Sequence, residues 1–130
     1  IDAGARLVIK IGILALQGNF RQHNVMLRSL GVNSIFIRYP KDLDGCDGLI
    51  IPGGESTTMA IQIDRNGLRK SINNFSTQKP IFGTCAGMII LSSINKSNNM
   101  NPLSIMDFSV NRNFWGTNKY TLKIFFFIKL

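Results

Sequence analysis

Pro80-Ile81-Phe82-Gly83-Thr84-Cys85-Ala86-Gly87-Met88-Ile89-Ile90-Leu91 decides how this chain folds. Two apolar runs flank the pentapeptide Gly83-Thr84-Cys85-Ala86-Gly87. The first run is short and follows a proline, as a strand does. The second has the length of a helical turn or two. G-x-C-x-G between a strand and a helix is the thiol form of the nucleophile elbow, in which glycines permit a tight, strained turn at the reactive residue. The helix that follows aims its N-terminus at the sulfur and favours the thiolate. A strand that ends in a nucleophile and passes into a helix belongs to an open α/β sheet, whose sites lie beyond the carboxyl ends of the strands.

Upstream residues extend the same pattern. Leu7 to Leu16 reads as a buried strand, carrying Val8, Ile9, Ile11, Ile13, Leu14 and Leu16, and Gln17-Gly18-Asn19 breaks it. Phe20 to Leu30 reads as a helix with Phe20, Met26, Leu27 and Leu30 near one face, stopped by Gly31. Ser34 to Tyr39 is a second strand, ended by Pro40. Gly48-Leu49-Ile50-Ile51 is a third, ended by Pro52-Gly53-Gly54. Ser56 or Thr57 is expected to cap a helix running through Ile63, and a short helix is expected over Gly67 to Phe75. The order strand, helix, strand, strand, helix, strand, elbow, helix predicts an α/β fold: a mostly parallel sheet with helices on both faces. Gln17, Gly53-Gly54-Glu55 and Cys85 each follow a strand, so three loops are expected to meet at one crevice. Ser92 to Asn101, rich in Ser, Asn and Lys without an apolar period, reads as a loop or disordered insert. Phe108 to Asn113 reads as a possible strand, and Thr117 to Leu130 as a polar stretch followed by an aromatic-rich, strand-like tail.

Composition bounds the class. The 130 residues are 45% hydrophobic, enough for one domain with its own core. The run Ile124-Phe125-Phe126-Phe127-Ile128, flanked by lysines, is too short to span a bilayer, so no membrane association is expected. No secretory signal pattern is visible, which makes the cytoplasm the expected location. The chain starts at Ile1, so its true start is expected to be missing or processed. Two cysteines, Cys46 and Cys85, make no disulfide framework, and no residue cluster has metal-ligand spacing. The net charge of +8 falls in the second half of the chain. Its lysines are scattered, without a run or interleaved aromatics, so nucleic acid is not the expected partner.

Four positions join Cys85 as candidates. Adjacent glycines in Pro52-Gly53-Gly54-Glu55-Ser56-Thr57 let backbone N–H groups approach a ligand, as an oxyanion hole requires. Alone, that stretch reads equally as a tight turn before a capped helix. Beside a nucleophile, Gly54 and Ala86 become the two expected donors. Gln17 is either a solvated loop residue or a site residue at the sheet edge. His23, on a helix well past the strand end, reads as a helix-packing histidine and not as a base. Arg112 reads by itself as a surface charge.

Three stretches carry a resemblance: Gly12-Ile13-Leu14-Ala15-Leu16-Gln17-Gly18, Gly48 to Thr58, and Phe82 to Met88. In this order they resemble the glutaminase subunit of pyridoxal 5′-phosphate synthase, a class I (triad) glutamine amidotransferase with a flavodoxin-like fold, over about residues 10–116. The resemblance implies hydrolysis of L-glutamine to glutamate and ammonia, with ammonia passed to a synthase subunit in a hetero-oligomer for vitamin B6 biosynthesis, and no cofactor or metal. It implies Cys85 as the nucleophile that forms a γ-glutamyl thioester, and Gly54 and Ala86 as oxyanion-hole donors. It implies Gly54, Glu55, Ser56 and Arg112 as substrate contacts, with Gln17 near the oxyanion hole, where docking is linked to activation. The Arg112-Asn113-Phe114-Trp115-Gly116 stretch resembles the family's Arg-Asn-x-Phe-Gly imperfectly, with Trp115 at the phenylalanine position.

The chain departs from that family at its end. The near-terminal His-x-Glu that completes the triad and the late strands are missing, and residues 117–130 match nothing in the family. The whole chain therefore reads as a single amidotransferase domain, C-terminally truncated, with an atypical tail, an exposed sheet edge and no expected turnover. Two alternatives stand beside it: a non-catalytic synthase-binding module, and another Cys-elbow α/β protein with no glutamine site.

Overall fold

Alternating apolar positions build the sheet, because successive strand side chains face opposite sides. The computed structural model describes residues 8–93 and 100–107 with side chains, and the backbone alone of 94–95, 109–110 and 126–129. Along the chain run β1 (Lys10–Leu14), α1 (Phe20–Ser29), β2 (Asn33–Ile37), a 3₁₀ turn (Pro40–Leu43) and β3 (Gly48–Ile51). Then come α2 (Ser56–Arg65), α3 (Leu68–Ser76), β4 (Ile81–Thr84) and α4 (Ala86–Leu91). Short β5 (Ile94–Asn95), β6 (Ser109–Val110) and β7 (Phe126–Lys129) follow.

The main sheet has the order β2-β1-β3-β4-β7. Its first four strands are parallel, with Ile13 beside both Phe36 and Ile50, and Ile50 beside Phe82. From β1 the chain crosses outward to β2, then returns past β1 to β3 and on to β4. Right-handed crossovers in opposite directions place the connecting helices on opposite faces. The side chains agree. On one face Leu14, Ile37, Leu49, Ile51 and Ile81 pack with Met59 and Ile63 of α2 and Leu68 and Ile72 of α3 in the buried core. On the other, Phe36 meets Phe20 of α1 edge-on, with ring centroids 5.3 Å apart. The expected α/β sheet with helices on both faces is the observed one. α1 buries none of its residues fully, whereas α2 and α3 contribute Met59, Ala60, Ile63, Leu68 and Ile72 to the central core.

Three expectations are corrected. The cap of α2 is Glu55, not Ser56 or Thr57: its carboxylate accepts from both Thr57 N and Thr58 N at 3.0 Å. Two oxygens on a longer arm satisfy two first-turn amides where a hydroxyl satisfies one. The polar stretch after Leu91 is not wholly irregular, since Ile94–Asn95 pairs in parallel with Ser109–Val110. The outer edge of β4 is also not left open. β7 runs antiparallel along it, with Thr84 opposite Phe126 and Ile81 opposite Lys129. Strand pairing is made by backbone groups, so it does not depend on a particular side-chain pattern in the tail. Residues 111–125, including the rest of the strand expected over Phe108 to Asn113, lie outside the described residues.

Ile63 is fully buried between α2 and the sheet. Ile63→Ala is expected to lower unfolding stability by about 2–5 kcal/mol, through lost burial and the cavity left behind. Urea denaturation of the variant checks this.

Candidate active site

The crevice is built from main chain at the carboxyl ends of β1, β3 and β4. Cys85 joins β4 to α4 with φ 50° and ψ −111°, a conformation that non-glycine residues adopt rarely and only where surrounding packing imposes it. The thiol is half-buried, neither sealed in the core nor fully in water. Its turn fits because neighbouring residues lack side chains. A Cβ on Gly87 would overlap the carbonyl oxygen of Ile51, so the first turn of α4 rests directly on the end of β3. A Cβ on Gly83 would lie 2.7 Å from Leu91 Cδ1 and 2.8 Å from the Gly87 carbonyl oxygen. The elbow glycines therefore serve close approach as well as the turn itself.

The glycine-rich loop after β3 lies against this elbow. The Cβ position of Gly53 is 3.3 Å from Cys85 Cβ and 3.5 Å from Asn19 Oδ1. The loop after β1 closes on the same place. Asn19 N donates to the Gly53 carbonyl at 3.1 Å, and Gln17 Oε1 accepts from Glu55 N at 2.9 Å. A Cβ on Gly18, which has φ 93°, would overlap that same Gly53 oxygen. The three loops expected to converge do converge, and Gln17, Gly53, Gly54, Glu55 and Cys85 belong to one constellation.

Individual residues take more definite positions. Gln17 is a loop clamp: its carboxamide oxygen faces Gly54, within 2.5 Å of where a Cβ there would be. The Glu55 carboxylate is turned into the first turn of α2 and also takes Thr58 Oγ1 at 3.3 Å. Its main chain, not its side chain, is what faces the crevice loop. Ser56 is 1% exposed, and its Oγ has no hydrogen-bond partner among the described residues. Ala86 opens α4, so its N–H has no partner within the helix. Arg112 lies outside the described residues. Sequence reading used Asn19 only as a strand break. Its place after Gln17-Gly18, at the same sheet edge, was the available signal for a site role.

The remaining titratable groups lie elsewhere in the chemistry. His23 is half-buried on α1, and burial lowers its pKa. Cys46 is fully buried, and burial pushes its thiol up, partly opposed by Lys10 and Lys79. Among the described residues no group of three or more His, Cys, Asp or Glu is placed to hold a metal ion. No described helix is long and apolar enough to cross a membrane.

A half-buried cysteine on a strained strand-to-helix turn, faced by a glycine-rich loop at the carboxyl edge of a parallel sheet, defines the class: an α/β protein with a thiol nucleophile elbow of the glutamine amidotransferase type. The chain belongs to the SNO glutamine amidotransferase family, whose model matches residues 13–125. It is 42% identical to a pyridoxal 5′-phosphate synthase subunit PdxT from Geobacillus kaustophilus, over 85% of this chain and 57% of that protein. The PdxT of Thermosipho africanus is 44% identical over 83% of this chain and 58% of its own length. The chain thus spans somewhat more than half the length of the curated relatives it matches. A crystal structure of a glutamine amidotransferase superposes with a TM-score of 0.76 at 35% identity, covering 82% of this chain and 58% of that one. A putative peptidase E from Listeria monocytogenes shares the fold alone, with a TM-score of 0.62 at 16% identity.

Two outcomes follow from this geometry. Gly18→Ala forces a side chain into the Gly53 carbonyl and a residue into positive φ, and is expected to cost at least about 1–3 kcal/mol in a denaturant titration. The His23 pKa is depressed in the folded state below its ordinary 6.5, so the unfolded chain binds the proton more tightly. Its contribution is therefore full above pH 6.5 and is lost as pH falls through the lowered value. His23→Gln is expected to flatten stability against pH in that window, read from thermal midpoints across a buffer series.

Proposed function

We propose that this chain is a glutamine amidotransferase domain whose Cys85 attacks the side-chain carboxamide of L-glutamine. The observation that supports the reading is the placement of Gly53 against the Cys85 elbow, its Cβ position 3.3 Å from Cys85 Cβ, which brings the main chain of the glycine-rich loop beside the thiol. Cys85 Sγ adds to the carboxamide carbon, and negative charge develops on its oxygen. The N–H groups of Gly54 and Ala86 are assigned to that oxygen, the position where preorganised donors lower the barrier most. Collapse breaks the C–N bond, and the nitrogen leaves as ammonia with an added proton. The γ-glutamyl thioester that remains is hydrolysed by water to glutamate and the free thiol.

Substrate holding is assigned to the main chain of Gly54 and Glu55, to the buried hydroxyl of Ser56, and to Arg112, whose fork suits a carboxylate. Gln17 supports the loop that carries Gly54 and so acts on the oxyanion donors. The relatives are named as subunits of a pyridoxal 5′-phosphate synthase. By analogy the partner here is a synthase subunit that receives ammonia for vitamin B6 synthesis, and the expected location is the cytoplasm.

The leaving nitrogen needs a proton donor. The 130 residues contain one histidine, His23, which is read as a helix-packing residue. Missing general acid–base help is worth roughly 10²–10⁴-fold in rate. This single-histidine composition favours a second reading for the chain by itself, a synthase-binding module that captures glutamine without turning it over.

A chloroketone analogue of glutamine is expected to alkylate Cys85, detected by peptide mass spectrometry, and Cys85→Ala is expected to abolish the label. The 130-residue chain is expected to release no ammonia from glutamine, with or without a synthase subunit. Indifference of Cys85 to the chloroketone would sink the glutamine assignment. Cys85-dependent ammonia release would sink the inactive-module reading.

A further inference from the structure

Arg69, near the start of α3, makes four side-chain hydrogen bonds. Its Nε donates to Asp64 Oδ1 at 2.6 Å, and Nη2 reaches Asp64 Oδ2 at 3.2 Å. Nη1 donates to the Pro102 carbonyl and Nη2 to the Asn101 carbonyl, each at 2.8 Å. One planar fork thus binds a carboxylate at the C-terminal end of α2 and two consecutive carbonyls of a distant segment. A lysine, with a single charged centre, cannot reproduce that set.

The segment that Arg69 grips closes the far end of the nucleophile helix. α4 has six residues, too few to hold its own last carbonyls. Leu103 N donates to Ile90 O at 2.7 Å, while Ile105 N and Met106 N donate to Leu91 O at 3.2 and 3.0 Å. Ser104 N donates to Ser92 O at 3.0 Å, and Met100 and Leu103 are buried against the core. α2 is capped by Glu55, directly after Gly53-Gly54, and α4 begins directly after Cys85. The two helices pack on each other. Arg69 therefore ties together the far ends of the two helices whose near ends carry the glycine loop and the thiol.

We propose that Arg69 is a positioning residue: by strapping Asp64 to the Asn101–Pro102 carbonyls it sets the spacing between the glycine loop and Cys85 across the crevice. It touches neither substrate nor thiol. The strained Cys85 conformation persists only while its surroundings impose it. Release of the strap lets α4 shift against α2, and the backbone donors no longer align with the attacked carbon. This rests on the glutamine reading given above.

The test compares two Cys85 reagents on the 130-residue chain: the chloroketone analogue of glutamine, which needs the assembled crevice, and iodoacetamide, which needs only access. The ratio of their rate constants, read on the Cys85 peptide, separates alignment from exposure. Arg69→Met is expected to lower that ratio about tenfold and to speed amide exchange at Leu103 to Met106. Arg69→Lys, which keeps the charge and loses the fork, is expected to follow it. Should Arg69→Met fail to fold, Asp64→Asn is read instead, with a fall of about threefold. An unchanged ratio in Arg69→Met, or a ratio restored by Arg69→Lys, overturns the proposal while leaving the glutamine site standing. No chloroketone preference in the unsubstituted chain overturns the glutamine reading and this inference together.

Discussion

Contact of main chain with main chain at the carboxyl edge of the sheet is the constraint on which this structure depends. Gly18 lies against the Gly53 carbonyl, Gly53 against Cys85, and Gly87 against the Ile51 carbonyl. The Gly18 and Gly87 approaches leave no room for a Cβ, and a Cβ on Gly53 would lie 3.3 Å from that of Cys85. Together they lock the loops after β1 and β3 and the elbow after β4 into one wall. Because the wall is backbone, it presents N–H groups where a larger residue would present carbon. The glycine loop that packing requires is the same one to which part of the proposed oxyanion site is assigned.

That wall is held from two directions. At its near end, Gln17 fixes the glycine loop by accepting from Glu55 N, and Glu55 passes the restraint on by capping α2. At its far end, residues 103–106 complete the carbonyls of α4. Strain at Cys85 is therefore shared over a helix pair and two loops. Such over-determination is what a non-glycine residue at positive φ needs in order to persist. The core beneath, from Ile37 to Ile81 with Met59, Ile63, Leu68 and Ile72, gives both helices a rigid floor.

Much of this was legible before any coordinates. Gly48–Ile51 emerged with its observed bounds because a short β-branched run ended by Pro-Gly-Gly leaves little choice. The elbow was legible because glycines at both flanks of a cysteine serve few other purposes. The cap of α2 was misread because hydroxyl caps are the common ones, and nothing local distinguishes a glutamate that reaches two amides. The strand at Ile94–Asn95 was missed because two residues carry no period. The covered edge of β4 was missed because strand pairing is a property of backbone, and the short run Phe126–Lys129 does not reveal its partner by its side chains.

The amino-acid sequence by itself determined the strand-and-helix order, the glycine-flanked cysteine turn and the family, because turn glycines, apolar periods and an elbow motif are local and act within a few residues. Only the tertiary structure decided that Glu55 faces its helix, that Gln17 clamps a loop 38 residues away in sequence, and that Arg69 ties α2 to the segment behind α4. Those roles arise from hydrogen bonds between residues far apart in the chain, and such bonds exist only once packing has brought donor and acceptor within reach.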